Sequence, residues 1–283
     1  MPEQPELDAA TGHLRTVLRG RRVEHVEIAA ISVLKTAAPP SALAGRTIGA
    51  IRRRGKHLLI DVEWQFLVVH LALAGWLRHH AVSPAPRPGP RAGPLALRIV
   101  LDDGSAVDVT EQGTRKSVGV WVSDQPDQLE TLTRLGPEAS ELDGQTFAQI
   151  LSGTGSQLKT VLTDQRVMAG IGNAWSDEIL HRDRLSPFAA ANRQDRRSAA
   201  GLHAAMTTVL SEATEQLAGV GLGRLKTAKK KLLAIHGRAG SSCPVCGDTI
   251  AEVSYADRSL QYCPSCQTRG RRLNDRRMDR LLR

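Results

Sequence analysis

Four cysteines near the end of the chain form its most specific pattern. Cys243 and Cys246 are separated by two residues, as are Cys263 and Cys266, and sixteen residues lie between the two pairs. This spacing is typical of zinc ribbons, in which each pair sits on a tight turn and four thiolates complete a tetrahedron. A closed tetrahedron leaves no position for water, so we expect one structural Zn²⁺ ion and no catalytic one.

The alternative interpretation of these cysteines is two adjacent disulfides. The chain has no other cysteine, and its first residues lack the basic and apolar regions of a secretory signal. We therefore expect a cytoplasmic protein, in which thiols stay reduced and can ligate a metal. The segment 255–261 between the pairs is expected to form a hairpin, from which Arg258 projects away from the metal.

The first residues of the chain are a second candidate for chemistry. Removal of Met1 would give Pro2 a free secondary amine, and an α-amine has a reference pKa of about 8. A useful fraction is then neutral at neutral pH and can attack a sugar C1′ to form an iminium ion. Glu3 and Glu6 follow at once, where a helix dipole favours carboxylates. The alternative is ordinary helix initiation, because proline and acidic residues are common in a first helical turn.

The charge balance indicates a polyanionic partner. The 283 residues include 38 Lys and Arg against 29 Asp and Glu, a formal net charge of +9. Such a balance favours nucleic acid, although a solvated cationic surface gives the same count. Aromatic residues make up only 3%, which argues against a stacking platform for several bases. No apolar run reaches the roughly 18 residues of a membrane span, so we expect no membrane partner. We also expect the protein to be a monomer.

The elements that must position these residues are predicted to change type along the chain. A helix over 5–18, ended by Gly20, precedes a series of short apolar runs. Short strands at close spacing predict a β-sandwich, interrupted by an exposed proline-rich loop over 83–94. The strands are expected at Val26 and Ile28, 58–62, 66–73, 97–101, Val107 and Val109, and 118–122.

From about residue 129 the apolar spacing becomes helical. Leu158, Val161 and Leu162 share one helical face, and further helices are predicted over 173–180 and 198–217. The segment 224–231 carries five lysines or arginines in eight positions and is interpreted as a basic linker. The pattern predicts an α+β fold with three parts: a β-sandwich (1–125), a helical domain (129–233) and a zinc finger (234–283).

Several motifs together resemble one known family. They occur in the same order over the whole chain and resemble the formamidopyrimidine-DNA glycosylase/endonuclease VIII family. The resemblance implies an N-terminal β-sandwich with an opening helix, a central helix–two-turn–helix domain and a C-terminal zinc-ribbon hairpin. The motifs are MPEQPEL at the start, 54–58 (RGKHL), 69–75 (from VHL to Gly75), 157–176 (QLKTVLTDQRVMAGIGNAWS), 236–238 (HGR) and CPVC…YCPSCQT.

The resemblance also implies catalytic roles. Pro2 matches the nucleophile that forms a Schiff base with C1′ as the damaged base leaves. Glu3 matches the proton donor that opens the sugar ring, and Glu6 a second glutamate that supports the site. Lys56 matches the β-hairpin lysine, which contacts phosphate and is assigned the proton donor of β-elimination. Arg258 matches the zinc-finger arginine, which grips the phosphate beside the lesion and assists δ-elimination.

Further positions match residues that bind the DNA backbone. Lys159 and Asn173 match the helix–two-turn–helix lysine and asparagine, and Gly170 and Gly172 allow a close approach of the backbone to phosphate. From the residues alone, 170–173 could equally be a turn followed by a helix N-cap. A solvated surface charge is likewise the alternative interpretation of Lys56, Lys159 and Arg258.

Two regions depart from the family pattern. Lys116 occupies the place of an arginine that enters the DNA, and Val118 is a poor substitute for the neighbouring phenylalanine. Leu73 matches an apolar wedge position, although its apolar surroundings suit a core strand equally well. The segment 219–233 is shorter than the lid that covers the damaged base in typical members. These departures leave the preferred lesion open.

The expected function is that of a bifunctional DNA glycosylase and AP lyase of base-excision repair. It would act on damaged double-stranded DNA by β,δ-elimination, in a bacterial-type cytoplasm and on the nucleoid. The alternative is a catalytically weak or inactive protein on the same scaffold that binds lesions or abasic sites. A zinc-ribbon RNA-binding protein is a third possibility, but it leaves the first residues and the GIGN segment unexplained.

Overall fold

The computed structural model describes residues 1–36, 38–85, 94–112, 116–254 and 259–273. Its strands are β1 (Val23–Ile28), β2 (Ile48–Arg54), β3 (His57–Val62), β4 (Gln65–His70), β5 (Gly75–His80), β6 (Leu95–Leu101), β7 (Ala106–Glu111), β8 (Gly119–Ser123), β9 (Ala251–Ser254) and β10 (Ser259–Tyr262). Its α-helices are α1 (Gln4–Leu18), α2 (Glu130–Thr133), α3 (Gly144–Ser152), α4 (Leu158–Thr163), α5 (Asn173–Arg182), α6 (Arg196–Leu217), α7 (Leu225–Leu232) and α8 (Pro264–Thr268).

The chain divides into two compact units, and neither is continuous in sequence. The first unit contains Met1–Leu135 together with Thr214–Lys229, and the second contains Gly136–Ala213 together with Lys230–Arg283. Within the described ranges, no helix combines the length and the apolar character that crossing a bilayer requires.

The first unit contains two four-stranded antiparallel sheets, in the orders β1-β6-β7-β5 and β2-β3-β4-β8. The α+β class and the predicted β-sandwich are confirmed. The strands β2 and β5 were not predicted, because apolar alternation is the main strand signal and both lack it. β2 ends in three arginines (52–54), and β5 carries Arg78, His79 and His80.

Signals in the local sequence account for the opening helix α1. Pro5 fits the first turn, where its missing N–H is not needed, and Leu7, Leu14 and Leu18 are buried on one face. That face packs against β2 and β3. The helix ends before Gly20, whose φ of 80° favours glycine. The predicted helix is therefore confirmed, together with its end.

The turn after β4 differs from the prediction of a strand over 66–73. β4 ends at His70, and the chain turns at Ala72, a residue with a positive φ of 48°. Gly75 then approaches the turn so closely that a Cβ on it would lie 2.2 Å from the carbonyl oxygen of Leu71. The turn leaves the side chain of Leu73 74% exposed. A core position for Leu73 is therefore wrong.

The second unit is mainly helical, and it also contains the hairpin β9–β10, which precedes the short helix α8 in the chain. The helices predicted around Leu158, over 173–180 and over 198–217 are confirmed as α4, α5 and α6. Their apolar faces form one core around Leu162, Trp175, Ile179, Leu202 and Met206.

The interpretation of 224–231 as a linker is wrong, because this segment forms α7. Leucine and lysine are good helix formers, and the buried residues Leu225 and Lys229 lie one turn apart. Just before α7, Leu222–Arg224 lies against β5 within the first unit. This contact brings the start of α7 back to the sandwich.

Two histidines face each other in the sandwich, and neither is suited to carry charge. His57 and His70 are cross-strand neighbours with ring centroids 4.6 Å apart. Burial, together with the neighbouring His70, lowers the pKa of His57 to about 3. Burial and the charge of Lys56 lower the pKa of His70 to about 4. Both rings are therefore neutral at neutral pH.

This pair predicts that the fold loses stability in mild acid. Because a histidine of the unfolded chain has a pKa of about 6.5, the unfolded chain binds more protons than the folded chain between about pH 6.5 and 4. Each histidine should cost about 2 kcal/mol of the free energy of unfolding on going from pH 7 to pH 5. Urea titrations of the protein and of His70→Gln at both pH values measure this loss.

The substitution His70→Gln should remove a large part of that pH dependence. His25→Gln, which changes an exposed histidine on β1, is the matched control and should leave the dependence unchanged. An identical pH dependence in all three proteins would contradict the assignment.

The turn at Gly75 predicts a large difference between two glycine substitutions. Gly75→Ala should lower the free energy of unfolding by about 1–3 kcal/mol, because its Cβ would meet backbone and the side chain of Val118. Gly12→Ala in α1 should raise it by about 0.5–1 kcal/mol, because a Cβ there meets nothing and alanine favours helix. Chemical denaturation measures both, and equal effects would exclude the close approach at Gly75.

Candidate functional site

Four residues of the first unit, Pro2, Glu3, Glu6 and Lys229, form what we call the N-terminal cluster. Glu3 is the N-cap residue of α1, and its backbone N–H donates to Oε2 of Glu6 at 2.7 Å in a reciprocal capping box. The sequence patterns for helix initiation and for a reactive N-terminus therefore coincide in the same residues. The side chains of Glu3 and Glu6 are almost completely buried, at 2% and 1% exposure.

Lys229 on α7 completes the cluster, and the sequence analysis missed it. Its Nζ donates to Oε2 of Glu6 at 2.8 Å, to the carbonyl oxygen of Met1 at 3.1 Å and to Oε1 of Glu3 at 3.4 Å. It is only 6% exposed. A lysine in register with Leu225 on the buried face of a helix is the signal that could have identified it.

The charges of the cluster act on one another. Burial raises the pKa of the Glu6 carboxyl, against the charge of Lys229. Burial alone would lower the pKa of Lys229, but Glu3 and Glu6 outweigh it and raise that pKa. Burial and the Lys229 charge lower the pKa of the Met1 amine. The arrangement therefore holds an ammonium beside carboxylates and favours a neutral amine at the start of the chain.

Lys56 lies in the tight turn between β2 and β3. Gly55 makes that turn with a φ of 54°, and the Lys56 side chain is buried. The charge of Lys56 adds to the lowering of the pKa of the Met1 amine. A solvated surface charge is therefore the wrong description of Lys56, which contributes to the electrostatics of the N-terminal cluster.

The two candidate wedge residues have different surroundings. Leu73 is exposed at the tip of the turn after β4. The Lys116 ammonium donates to the backbone oxygen of Glu111, and the Glu111 carboxylate accepts from the N–H groups of Ser117 and Val118 at 2.6 and 3.0 Å. The Val118 side chain is fully buried, so it cannot replace an exposed phenylalanine.

In the second unit, the start of α5 is tied to the hairpin β9–β10. Gly172 is the N-cap residue, and Gly170 has a positive φ of 107°. Nδ2 of Asn173 donates to the backbone oxygen of Ser259 at 2.6 Å. Arg258, the residue before Ser259, lies outside the described residues. The bond from Asn173 ties the first residue of β10 to the N-terminus of α5.

A buried ion pair lies beneath this helix start. Nζ of Lys159 donates to Oδ1 of Asp177 at 2.5 Å and to the backbone oxygen of Asn173 at 2.7 Å. The other Asp177 oxygen pairs with Nδ1 of His236 at 2.7 Å and accepts from the N–H of Gln261 at 3.2 Å. Lys159 is buried, so a solvated surface charge is the wrong description of this residue too. Asp177, which the sequence analysis did not single out, holds the network together.

The four cysteines meet the geometric requirement of a zinc site. Their sulfur atoms all lie within 4.8 Å of one another, with 3.3 Å between Cys246 and Cys263 and 3.9 Å between Cys243 and Cys266. Zn–S bonds of about 2.3 Å place tetrahedral sulfurs about 3.8 Å apart. All four cysteines are free, so the disulfide interpretation is wrong. Four thiolates suit a zinc ion that links the two Cys-x-x-Cys pairs.

Three models of known protein families match successive parts of the chain. A family model for the formamidopyrimidine-DNA glycosylase N-terminal domain matches residues 1–118. A second, for the formamidopyrimidine-DNA glycosylase H2TH domain, matches residues 135–222. A third, described as a zinc finger found in FPG and IleRS, matches residues 240–269.

Individual proteins are similar over most of the chain. A formamidopyrimidine-DNA glycosylase from Alkalilimnicola ehrlichii is 33% identical over 94% of this chain and all of its own. An uncharacterized formamidopyrimidine-DNA glycosylase-like protein from Mycobacterium tuberculosis is 52% identical over 53% of this chain and 94% of its own. The crystal structure of the Thermus thermophilus enzyme matches with a TM-score of 0.77 and 29% identity, over 94% of this chain and 98% of that one.

A β-sandwich that begins with a buried N-terminal helix, followed by a helical unit and a four-cysteine cluster, defines a zinc-finger protein of the helix–two-turn–helix class. The chain belongs to the formamidopyrimidine-DNA glycosylase family, a family of DNA repair glycosylases.

The cysteine cluster predicts that metal binding and folding of the tail are coupled. Cys243→Ser should reduce bound zinc from one ion per chain to less than about half, because three thiolates no longer close the tetrahedron. The tail should then be cleaved by trypsin, since its basic residues become accessible. Elemental analysis and limited proteolysis measure the two effects.

Ser242→Ala is the matched control, because Ser242 adjoins the cluster but is not one of the four cysteines. It should keep both the zinc and the resistance to trypsin. Full zinc content together with a protected tail in Cys243→Ser would exclude the assigned ligand set.

Proposed function

We propose that the protein is a DNA glycosylase with AP lyase activity, which acts on damaged double-stranded DNA in base-excision repair. The N-terminal cluster carries the proposal. A neutral amine is a nucleophile, and the Pro2 amine would directly precede Glu3, whose carboxyl is buried and whose backbone N–H donates to the buried Glu6 carboxylate. No part of helix initiation requires a buried lysine beside those carboxylates.

The proposed reaction begins on the chain from which Met1 has been removed. The lone pair of the Pro2 nitrogen attacks C1′ of the damaged nucleotide, and the glycosidic bond breaks so that the base leaves with its electron pair. The Glu3 carboxylate takes up the proton that the Pro2 nitrogen loses and donates it to the ring oxygen O4′, so that the ring opens and an iminium ion joins Pro2 to C1′. Glu6 keeps Glu3 in place through the backbone of the N-cap.

The iminium ion then permits strand cleavage. Loss of a proton from C2′ gives an enamine, which expels the 3′ phosphate in β-elimination and becomes a conjugated iminium ion. Loss of a second proton, from C4′, then expels the 5′ phosphate in δ-elimination. We assign Lys56 to phosphate contact and to proton transfer in the first elimination. We assign Arg258 to the phosphate beside the lesion, because a guanidinium binds phosphate through two parallel hydrogen bonds.

Backbone contacts are assigned to the start of α5. The N–H groups after Gly172 and the positive end of the helix dipole suit a phosphate, and Asn173 adds an amide. Lys159 supports this site from below through Asp177. The exposed Leu73 and the nearby Lys116 are assigned to the space that a flipped-out nucleotide leaves. A protein similar to this chain, from Lactococcus lactis, was crystallised bound non-covalently to DNA with an abasic site; it has a TM-score of 0.80 and 26% identity, over 94% of this chain and 99% of that one.

The remaining assignments complete the proposal. One zinc ion stabilises the zinc finger, the protein acts as a monomer in the bacterial cytoplasm on the nucleoid, and the functional parts are 1–125, 129–233 and 234–283. The alternative, a catalytically inactive lesion-binding protein, is not favoured, because the N-terminal cluster is fully assembled.

Borohydride trapping tests the proposed Schiff base. Reduction during incubation with abasic-site DNA should give a covalent complex, and digestion with trypsin should locate the deoxyribose on the peptide 2–15. That peptide contains no lysine, so its terminal amine is the only amine available. Pro2→Gly should lower the yield at least about tenfold, because the imine of a primary amine needs protonation that the iminium of a secondary amine does not.

Two outcomes would contradict the proposal. Attachment of the sugar to a peptide containing Lys56 or Lys229 would assign the nucleophile elsewhere. Tight binding of abasic-site DNA without any covalent complex, in protein shown by mass spectrometry to begin at Pro2, would favour the inactive lesion-binding protein.

A further inference from the structure

The placement of Lys229 needs a functional explanation. Two carboxylates and one ammonium are buried together at the start of α1, and burial of charged groups is costly even when they are paired. Apolar residues in these positions would serve the stability of the fold at least as well. The lysine also comes from the distant segment α7, so ordinary capping of α1 does not account for it.

The Lys229 ammonium lies close to the nitrogen that becomes the terminal amine. Its Nζ is 3.1 Å from the carbonyl oxygen of Met1, and that carbonyl is bonded to the Pro2 nitrogen. Because the oxygen and nitrogen of an amide are roughly 2.3 Å apart, Nζ lies within about 5.4 Å of the Pro2 nitrogen. Removal of Met1 takes away one acceptor of Lys229 and leaves its bonds to Glu3 and Glu6.

Four charged groups act on the Met1 amine, which precedes Pro2 in the unprocessed chain. Lys229 of α7 and Lys56 of the β2–β3 turn favour its neutral form, whereas Glu3 and Glu6 of α1 favour its protonated form. Lys229 also bonds directly to both carboxylates and so offsets their effect. Among the four charged groups, Lys229 has the largest influence on the protonation of the Met1 amine, and its Nζ also lies close to the nitrogen that becomes the Pro2 amine.

We propose that Lys229 is a positioning residue for the Pro2 amine: its ammonium holds the Glu3 and Glu6 carboxylates and keeps the amine neutral, and therefore nucleophilic, at neutral pH. This inference rests on the proposed function, since it assigns the amine a reaction to perform.

Loss of the Lys229 charge should raise the pKa of the Pro2 amine. Without Lys229, the two buried carboxylates lose the ammonium that is bonded to both of them, and the amine compensates by holding a proton. The amine pKa rises as a result, by about one unit or more. At pH 7 the neutral fraction falls, by up to about tenfold for each unit by which the amine pKa rises, and a higher pH restores it.

The test follows the amine itself, independently of catalysis. Protein labelled with ¹⁵N-proline has 14 prolines, of which the terminal Pro2 alone has an amine that titrates near neutral pH. The ¹⁵N shift of Pro2 is followed against pH in the protein, in Lys229→Met and in the double variant Lys229→Met with Glu6→Gln. Lys230→Met, which changes the exposed neighbour, is the matched control.

The expected midpoint is below about 8 in the unsubstituted protein and at least about one unit higher in Lys229→Met. The double variant, which removes one carboxylate together with the lysine, should return most of the shift, and Lys230→Met should show none. The midpoint of borohydride trapping against pH should move in parallel. A structural role alone would lower stability and leave these midpoints in place.

An unchanged ¹⁵N midpoint in Lys229→Met would overturn the inference, whatever the trapping result. If the double variant alone can be purified, a midpoint within about 0.3 unit of the unsubstituted protein supports the inference, and a rise of one unit overturns it. The proposed lyase fails separately, if the amine titrates as expected but never traps abasic-site DNA.

Discussion

The contact between the Lys229 ammonium and the buried carboxylates of Glu3 and Glu6 is the interaction on which the rest of the first unit depends. It fixes the start of α1, because Glu6 also accepts from the N-cap backbone. It requires α7 to return to the sandwich, which Leu222–Arg224 achieves by lying against β5. A set of charges that would be costly in an ordinary core is thus concentrated around the one amine that the proposed chemistry needs.

The second unit uses a comparable arrangement for a different purpose. Asp177 accepts from Lys159 on one side and pairs with His236 on the other, and Glu178 accepts from three consecutive backbone N–H groups over 234–236 at 2.8–3.0 Å. These bonds join α5 to the segment that leads into the zinc finger. Two adjacent carboxylates of α5 therefore hold this helix to the segment 234–236, which precedes the first cysteine pair.

Features set by local sequence could be predicted, whereas those set by distant pairing could not. The spacing of the four cysteines is enough to predict that their sulfur atoms converge. Pro5 and Gly20 mark the start and the end of α1. The strands β2 and β5 have no alternation of their own and form because neighbouring strands pair with them. Lys229 looked like part of a basic linker, because the two glutamates that bury it lie more than 220 residues earlier in the chain. The burial of Lys159 could not be predicted for the same reason, since its partner Asp177 lies on another helix.

A crystal structure of the complex trapped with abasic-site DNA by borohydride tests the central claim most directly. The account predicts continuous electron density between the nitrogen of Pro2 and C1′, with Nζ of Lys229 still bonded to Glu6. Density that joins C1′ to a lysine, or a Lys229 side chain turned away from both glutamates, would contradict it.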